Sequence, residues 1–404
     1  MLMANDFLSQ SSAKEQIGDN PFLPEDIIIT ILKRLPVKSL IRFRCVCKDW
    51  KDLLKTPSFI TEHLHHSVDE NPLLFLQWGH KLDPLHFHIL NHKGQLLEVQ
   101  PPLPLMDSSF SIHIVGCSNG LLCLHCNDLE TSLRFPLVWN PATREIRQVP
   151  SPIKNNIQFL ALGFGFSPVD NDYKILVSQE RADIDSLSNP LEVYSLRTGS
   201  WKEIKVEDFG GLGISDFSVT VNGAMFWFGH KVTNIAENDL FVYHEMVVSF
   251  DMVMEVFTLI PLPCDDDNSR KSFLSVYENK LAMLCDTENE NYESYRTDLW
   301  VMEEGALSSG ERWSWTKKYS ISTSSSIYLL GIWLDKIVYC SIGLPPYDEP
   351  ESETNHRTID VLYTLNLSTH EWVHFNCPQG GYPISIIFNY AESLMPIANI
   401  HPRS

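Results

Sequence analysis

Apolar residues recur at helical spacing in one stretch near the start of the chain, between Leu23 and Leu54. Prolines mark the ends of the helices in this stretch, because a proline inside a helix ends or kinks that helix. Pro36 follows the first apolar run, and Pro57 follows the last. The stretch predicts three short helices. Their apolar positions lie three or four residues apart, as on one helix face: Ile28, Ile31, Leu32 and Leu35; Leu40, Phe43 and Val46; and Trp50, Leu53 and Leu54.

These three helices carry more apolar surface than they can bury among themselves. Each is near or below the roughly 12–15 residues at which an isolated helix becomes stable in water. A unit of about 35 residues is also too small to enclose a core of this size. We therefore predict that part of the apolar surface is an interface.

From Pro72 onward the pattern changes to short apolar or alternating runs separated by turn residues, which is typical of β-strands. One element, a polar turn followed by a buried strand, recurs at intervals of about 50 residues. A strand, a turn and a returning strand follow each copy. The copies begin at Asn119, Asn171, Asn222, Glu278 and Leu334.

Four short strands in a repeat of about 50 residues indicate the blade of a β-propeller. The first repeat has only three strands, and the isolated run from Ile384 to Tyr390 is predicted to complete it, closing the ring and removing exposed sheet edges. The strand count gives about six blades, with seven as an alternative. Aromatic residues on the last two strands are expected to pack between blades: Trp139, Tyr194, Phe250, Trp300 and Tyr363, then Trp201, Phe257, Trp315 and Trp372.

The net charge of -20 over 404 residues argues against a surface for nucleic acid, whose phosphates require a basic face. Between Pro21 and Ile60, however, eight lysines and arginines stand against four acidic residues. A solvated helical face is the default interpretation of these charges, and an acidic partner for the helical stretch would also explain them. No membrane-spanning run or signal peptide is predicted. Nine scattered cysteines are typical of a reducing compartment, so we expect the cytoplasm or the nucleus.

Few residues have the spacing of a chemical site. Cys123 and Cys126 are spaced like a metal or redox pair, but in a strand they point to opposite faces, so core positions are favoured. His63, His65 and His66 cluster on a fourth predicted helix, with Ser58 as its cap; a polar helix end is favoured over a metal site. The sequence predicts no catalytic, cofactor-binding or metal-binding residue.

The helical stretch resembles the F-box in its plant form. The residues that carry the resemblance follow the order of that motif: Leu23-Pro24, Ile31-Leu32, Leu35-Pro36, Ser39-Leu40, Arg44-Cys45-Val46-Cys47-Lys48 and Trp50.

This resemblance implies a non-catalytic substrate receptor of an SCF-type (Skp-cullin-F-box) ubiquitin ligase. The F-box would bind the Skp-family adaptor, and through it the cullin, while the propeller would hold an unidentified protein target for ubiquitination by other subunits. The adaptor contacts implied are Leu23, Pro24, Ile28, Leu32, Leu35, Pro36, Leu40, Val46 and Trp50.

The strand-rich part resembles the plant F-box-associated domain, often called F-box/kelch-repeat, in the blocks NPATREIRQVP, GFGFSPVDNDYKILV, EVYSLRTGSWKEI and TDLWVMEEG. The regular double glycine of kelch blades is missing. We expect a small all-α F-box module with a linker helix over 21–66, a kelch-like all-β propeller over 72–392, and tails at 1–20 and 393–404. Two other functions stay open: a non-ligase F-box scaffold, and a propeller enzyme or small-molecule binder with an accessory helical module.

Overall fold

The computed structural model describes residues 23–78, 86–99, 110–151, 159–179, 191–204, 212–215, 217–235, 240–263, 269–288, 294–304, 313–324, 327–343, 358–376 and 384–397. Within them, a helical module precedes a ring of antiparallel sheets, which confirms the predicted fold class. The N-terminal tail expected over residues 1–20 lies outside the described part of the chain.

The helical module consists of the three predicted helices and the linker helix. Their bounds are α1 (Glu25–Leu32), α2 (Val37–Phe43), α3 (Lys48–Leu53) and α4 (Pro57–Glu70).

Local capping sets where the later helices begin. The Oγ1 of Thr56, not the expected Ser58, accepts a hydrogen bond from the backbone N–H of Phe59 (3.3 Å) at the start of α4. Pro57 occupies the first position of that helix, where its missing N–H costs nothing. The helix then continues to Glu70, four residues beyond the expected end of the module at residue 66.

The described strands form six sheets, one for each blade of the ring. From the central channel outward, the strands of blades 1, 2 and 3 are β25 (Ile384–Tyr390), β1 (Leu73–Trp78), β2 (His86–Leu90) and β3 (Leu96–Val99); β4 (Phe110–Ser118), β5 (Leu121–Asp128), β6 (Arg134–Asn140) and β7 (Glu145–Gln148); and β8 (Phe159–Ser167), β9 (Asp172–Gln179), β10 (Leu191–Ser195) and β11 (Ser200–Ile204).

In blade 4 two short strands, β12 and β13, share the inner position. In the same outward order, the strands of blades 4, 5 and 6 are β12 (Leu212–Ile214) with β13 (Val219–Val221), β14 (Ala224–Ile235), β15 (Leu240–Asp251) and β16 (Val256–Pro261); β17 (Ser269–Tyr277), β18 (Lys280–Glu288), β19 (Ser294–Glu304) and β20 (Trp313–Ser324); and β21 (Ile327–Trp333), β22 (Lys336–Gly343), β23 (Thr358–Asn366) and β24 (Trp372–Asn376).

Blade 1 is built from both ends of the propeller sequence. Strand β25 pairs with β1 in antiparallel register, with Leu73 opposite Tyr390 and Phe75 opposite Phe388. This pairing confirms that the isolated C-terminal strand completes the first blade. The ring is therefore closed by backbone hydrogen bonds between residues more than 300 positions apart in sequence.

The turns after the inner strands all lie on one face of the ring. Asn119, Asn222 and Asn279 have positive φ there, which asparagine tolerates better than most residues. Neighbouring turns are in contact, because the Nδ2 of Asn222 donates to the carbonyl of Asn279 (3.1 Å). We call this face the proximal face and the opposite one the distal face.

Aromatic residues on the outer strands connect adjacent blades, as predicted. The indole N–H of Trp201 in blade 3 donates to the carbonyl of Pro150 at the end of blade 2 (2.8 Å), and Trp315 in blade 5 makes the same bond to Pro261 of blade 4 (2.9 Å). Within blade 3, Tyr194 and Trp201 lie directly opposite each other, with ring centroids 5.0 Å apart. These contacts repeat because the blades repeat.

Cys123 and Cys126 are core residues, as expected. Both are fully buried on β5, but Cys123 packs in the cluster between blades 2 and 3, and Cys126 in the cluster between blades 1 and 2. Burial raises the pKa of the Cys126 thiol to about 12, so it remains protonated. Among the described residues, no group of histidine, cysteine and acidic side chains could hold a metal ion.

Blade 3 approaches blade 4 closely at a glycine on its inner strand. A Cβ on Gly163 would lie 2.6 Å from Cζ2 of Trp227, a fully buried side chain whose indole N–H donates to the carbonyl of Leu162 (2.6 Å). Gly163→Ala should therefore lower the free energy of unfolding by about 1–3 kcal/mol, the usual effect of overpacking a core. Urea unfolding followed by tryptophan fluorescence measures the difference.

Val169→Ala is the matched control, since Val169 is exposed on the proximal face and should change stability by less than about 0.5 kcal/mol. Equal stability of Gly163→Ala and the wild type would show that the blades can separate without cost.

Candidate functional site

Helix α1 is apolar on two sides. Its inner side includes Leu32, which is 1% exposed in the core of the helical module. Its outer side carries Ile27 and Ile31, which are 45% and 47% exposed and stand four residues apart, on one face of the helix. Leu23, just before the helix, is 55% exposed. Val46, between α2 and α3, is 61% exposed. The excess apolar surface predicted from the sequence is thus present on the outside of the module.

The nine residues predicted to contact an adaptor fall into three groups. Leu32 and Leu40 are buried in the core of the module, so they support the fold and are not accessible to a partner. Partly buried positions at the edge of this core are Ile28, Leu35 and Trp50. Exposed positions are Leu23, Pro24, Pro36 and Val46.

The sequence prediction missed one exposed residue and placed another on the wrong side of α1. Ile27 was not included, and Ile31 was assigned to the same stripe as Leu32. Ile27 and Ile31 stand four residues apart, which on a helix indicates a second apolar stripe beside that of Ile28 and Leu32, but this spacing does not tell which of the two stripes faces inward.

Positive side chains are numerous on the same helical module. None of those that are exposed belongs to an ion pair within the described residues, whereas the partly buried Lys33 pairs with Glu62 of α4 (3.6 Å). The exposed positive residues are Arg34, Lys38, Arg42, Lys48, Lys51 and Lys55.

The helical module sits on the proximal face of the ring through the segment that follows β25. The Oε2 of Glu392 accepts a hydrogen bond from the backbone N–H of Val37 (2.8 Å), the first residue of α2. Leu394 is 1% exposed and packs among the core residues of the helices. The tail expected from residue 393 is thus largely buried as far as Ile397, because this segment fills the space between helices and ring.

His63 of α4 lies inside this junction rather than at a polar helix end. It is 1% exposed, and its Nε2–H donates to the carbonyl of Leu35 (3.0 Å). Burial lowers the pKa of His63, partly opposed by the Leu35 hydrogen bond and by the nearby Glu392 carboxylate, while His66 adds to the lowering. The His63 imidazole is therefore neutral at physiological pH. His65, by contrast, is exposed.

The last turn of α4 lies at the proximal mouth of the central channel. The channel contains a cavity of 910 Å³, whose walls come from the inner strands of the blades and whose proximal end includes Val68 and Asp69 of α4. Phe217, on the inner wall of blade 4 between β12 and β13, is 52% exposed and packs edge-on against His113 (5.2 Å between ring centroids). The helices occupy one mouth of the channel, and the other faces away from them.

Hydroxyl groups on the channel wall connect the blades. Ser218 donates to the carbonyl of Val115 (3.3 Å), and Thr220 donates to that of Phe164 (2.9 Å). Burial raises the pKa of Cys117 to about 12 and also raises the pKa of Tyr277, so both channel groups are neutral. The described wall is mainly apolar and hydroxyl-bearing, a surface suited to packing and hydrogen bonding.

Four polar inserts of the chain, residues 183–190, 264–271, 286–296 and 344–357, lie wholly or partly outside the described residues. The described strand ends that flank them are all at the distal face: β9 and β10, β16 and β17, β18 and β19, and β22 and β23.

Together, these features define a class of protein in which a small helical module with an exposed apolar face is mounted on one side of a six-bladed propeller. The F-box domain model matches residues 21–62, and the model of the F-box associated beta propeller domain matches residues 75–397. The chain belongs to this family of F-box proteins with an F-box-associated propeller.

Relatives in Arabidopsis thaliana extend over most of the chain. A probable F-box protein is 28% identical over 93% of this chain and 86% of its own length, and a putative F-box/kelch-repeat protein is 23% identical over 79% and 86%. A putative F-box protein is 30% identical over 63% of this chain and 64% of its own. Similarity to solved structures is low: a chain from an analysis of two prolyl endopeptidases aligns with a TM-score of 0.38 and 10% identity over 83% of this chain and 54% of that one.

None of the helices in the described residues is long and apolar enough to cross a membrane.

The buried, neutral His63 should make the junction between the helical module and the propeller sensitive to acid. Its pKa in the folded protein lies below the ordinary value of 6.5, so the unfolded chain binds more protons between those two values. The stability that a neutral His63 provides is present above pH 6.5 and is lost as pH falls towards the folded pKa. His63→Gln keeps an N–H donor for Leu35 but cannot be protonated, so it should reduce the acid sensitivity.

The measurement is the thermal unfolding midpoint at about pH 7 and about pH 5.5 for the wild type and for His63→Gln. His65→Gln, which changes an exposed histidine two residues away, serves as the control and should behave like the wild type. The same pH dependence in all three proteins would contradict the role given to His63.

Proposed function

We propose that this protein is a substrate receptor of an SCF-type ubiquitin ligase, in which the helical module binds a Skp-family adaptor and the propeller binds a protein target. The observation that carries the proposal is the set of exposed apolar side chains on the helical module, Leu23, Ile27, Ile31 and Val46. Apolar side chains of this size, grouped on one helix and one adjoining loop, mark an interaction surface. The F-box domain implies an adaptor of the Skp type in general.

The positive charge of the helical module supports binding to an adaptor with acidic residues. The same module carries exposed positive residues, such as Arg42 and Lys51. An interface with an apolar core and a charged rim gains affinity from the core and association rate from the rim. The adaptor surface that fits it is apolar in the middle and acidic at its edge.

The position of the module favours target binding at the distal face. Helix α4 lies at the proximal mouth of the channel, whereas Phe217 is exposed on the channel wall, on the distal side of β13. Aromatic side chains at the centre of a binding surface commonly contribute most of its affinity. A target held there would be presented on the side away from the adaptor-binding helices.

In this proposal the chain performs no covalent chemistry. The receptor brings the target close to the ubiquitin-transfer machinery, and transfer follows from the raised local concentration of the two reactants.

Adaptor binding should depend on the exposed residues of α1 and of the two positions before it. The double variant Leu23→Ala/Pro24→Ala and the single variant Ile27→Ala should each weaken adaptor binding about tenfold or more, the usual effect of truncating a central interface residue. Isothermal calorimetry with a purified Skp-family adaptor measures the affinities. Undiminished affinity in both variants would contradict the assignment of this face.

Val169→Ala is the control for this experiment, because it removes an exposed apolar side chain from the propeller. Circular dichroism establishes whether each variant remains folded. An adaptor that binds the wild type but brings no cullin with it from cell extract would indicate a non-ligase scaffold instead.

Target capture should depend on Phe217 on the channel wall. Phe217→Ala should leave adaptor affinity unchanged and reduce the set of proteins labelled near the receptor when the proteasome is inhibited, since it removes the exposed aromatic side chain. Proximity labelling compares the wild type, Leu23→Ala/Pro24→Ala and Phe217→Ala. Identical labelling by the wild type and Phe217→Ala would place target binding elsewhere on the propeller.

A further inference from the structure

The segment from Ala391 to Ile397, which we call the C-terminal strap, belongs to the ring and to the helical module at once. It follows β25 directly, so its position depends on the strand pairing that closes the ring. Most of its residues are buried although it contains no regular secondary structure. A buried segment without regular secondary structure is held in place by specific contacts. The strap makes such contacts with the ring on one side and with the helices on the other.

The ring holds the strap through two polar side chains of blade 2. The fully buried Asn140 donates from Nδ2 to the carbonyls of Ser393 (3.0 Å) and Met395 (3.1 Å), and its Oδ1 accepts from the backbone N–H of Ala142 (3.0 Å). The Oε2 of Glu145 accepts from the backbone N–H of Ile397 (3.0 Å). These bonds satisfy backbone groups that a buried irregular segment would otherwise leave unpaired.

The helices hold the strap through Glu392 and Leu394. Pro36, before α2, offers no side-chain hydrogen bond to the start of that helix, and Val37 is fully buried. The Glu392 carboxylate supplies the missing acceptor from a position 355 residues away in sequence. Leu394 completes an apolar cluster that otherwise consists mainly of helix residues, such as Leu40 and Phe59.

We infer that the C-terminal strap is a functional part of the helical module, with Glu392 and Leu394 as positioning residues that hold α1, α2 and α3 in the arrangement that binds a partner. The short helices become stable only when they are seated on the strap of a closed ring. The part of this inference that concerns adaptor affinity rests on the proposed function, and the part that concerns the stability of the helices does not.

The ring itself does not need these two contacts. Glu392 and Leu394 point to the helices, while Asn140, Glu145 and Ile397 attach the strap to blades 2 and 3. Loss of a helix-side contact should therefore loosen the helices and leave the blades unchanged. A purely structural strap, needed only to close the ring, predicts the opposite.

Hydrogen exchange of the full-length protein, read by mass spectrometry, distinguishes these cases. In Glu392→Ala and Leu394→Ala, peptides from α1, α2 and α3 should exchange about tenfold faster or more than in the wild type, while peptides from β18 and β22 keep their rates. Glu392→Gln retains an oxygen acceptor for the N–H of Val37 and should restore most of the protection. Glu371→Ala and Leu259→Ala change exposed residues of the same types and should match the wild type.

Unchanged exchange of α1 to α3 in both Glu392→Ala and Leu394→Ala would overturn the inference, and so would equally increased exchange of helices and blades.

Calorimetry with the adaptor is the second experiment. Weaker binding by Glu392→Ala, with recovery in Glu392→Gln, supports the positioning role. If the wild type fails to bind an adaptor while the exchange result holds, the proposed function is overturned and the role of the strap in stabilising the helices is supported.

Discussion

The pairing of β25 with β1 is the contact on which the rest of the molecule depends. Each blade buries its faces only against its two neighbours, so an open ring would expose the faces of blades 1 and 6 and the edge of β1. Closing it brings together residues more than 300 positions apart, and the entropy lost in forming so long a loop grows only slowly with its length. The same closure delivers the C-terminal strap to blade 2, where Asn140 fixes it and the helices are seated.

The elements that the sequence predicted correctly are those with local signals. Alternating apolar residues and positive-φ turn positions such as Asn119 and Asn222 identify hairpins without knowledge of the rest of the fold. Aromatic residues repeat at the same place in successive blades, and so the period reveals the ring. The first repeat lacked one strand, and the isolated run from Ile384 to Tyr390 had no repeat of its own, so the sequence predicted that the two belong to one blade. The pairing of β25 with β1 confirms this prediction.

The sequence could not reveal which apolar residues of α1 face inward. Leu32 and Ile31 are adjacent and equally hydrophobic, yet one is 1% exposed and the other 47%. Their difference comes from the tertiary position of the helix against α4 and Leu394, which no local pattern encodes. The bond between Glu392 and Val37 is hidden for the same reason: neither a glutamate near the C-terminus nor a valine after a proline is unusual until the fold brings them together.

The geometry of the strap has a consequence for how the two ends of the molecule act together. A flexible linker would let the helices and the propeller move independently, and a bound target would then sample many positions relative to the adaptor. In this protein the connection is double, because α4 leads into β1 and the strap returns from β25 to the same helices. Two attachments at separate points restrict rotation as well as translation. The helices and the closed ring are thereby held in one relative orientation.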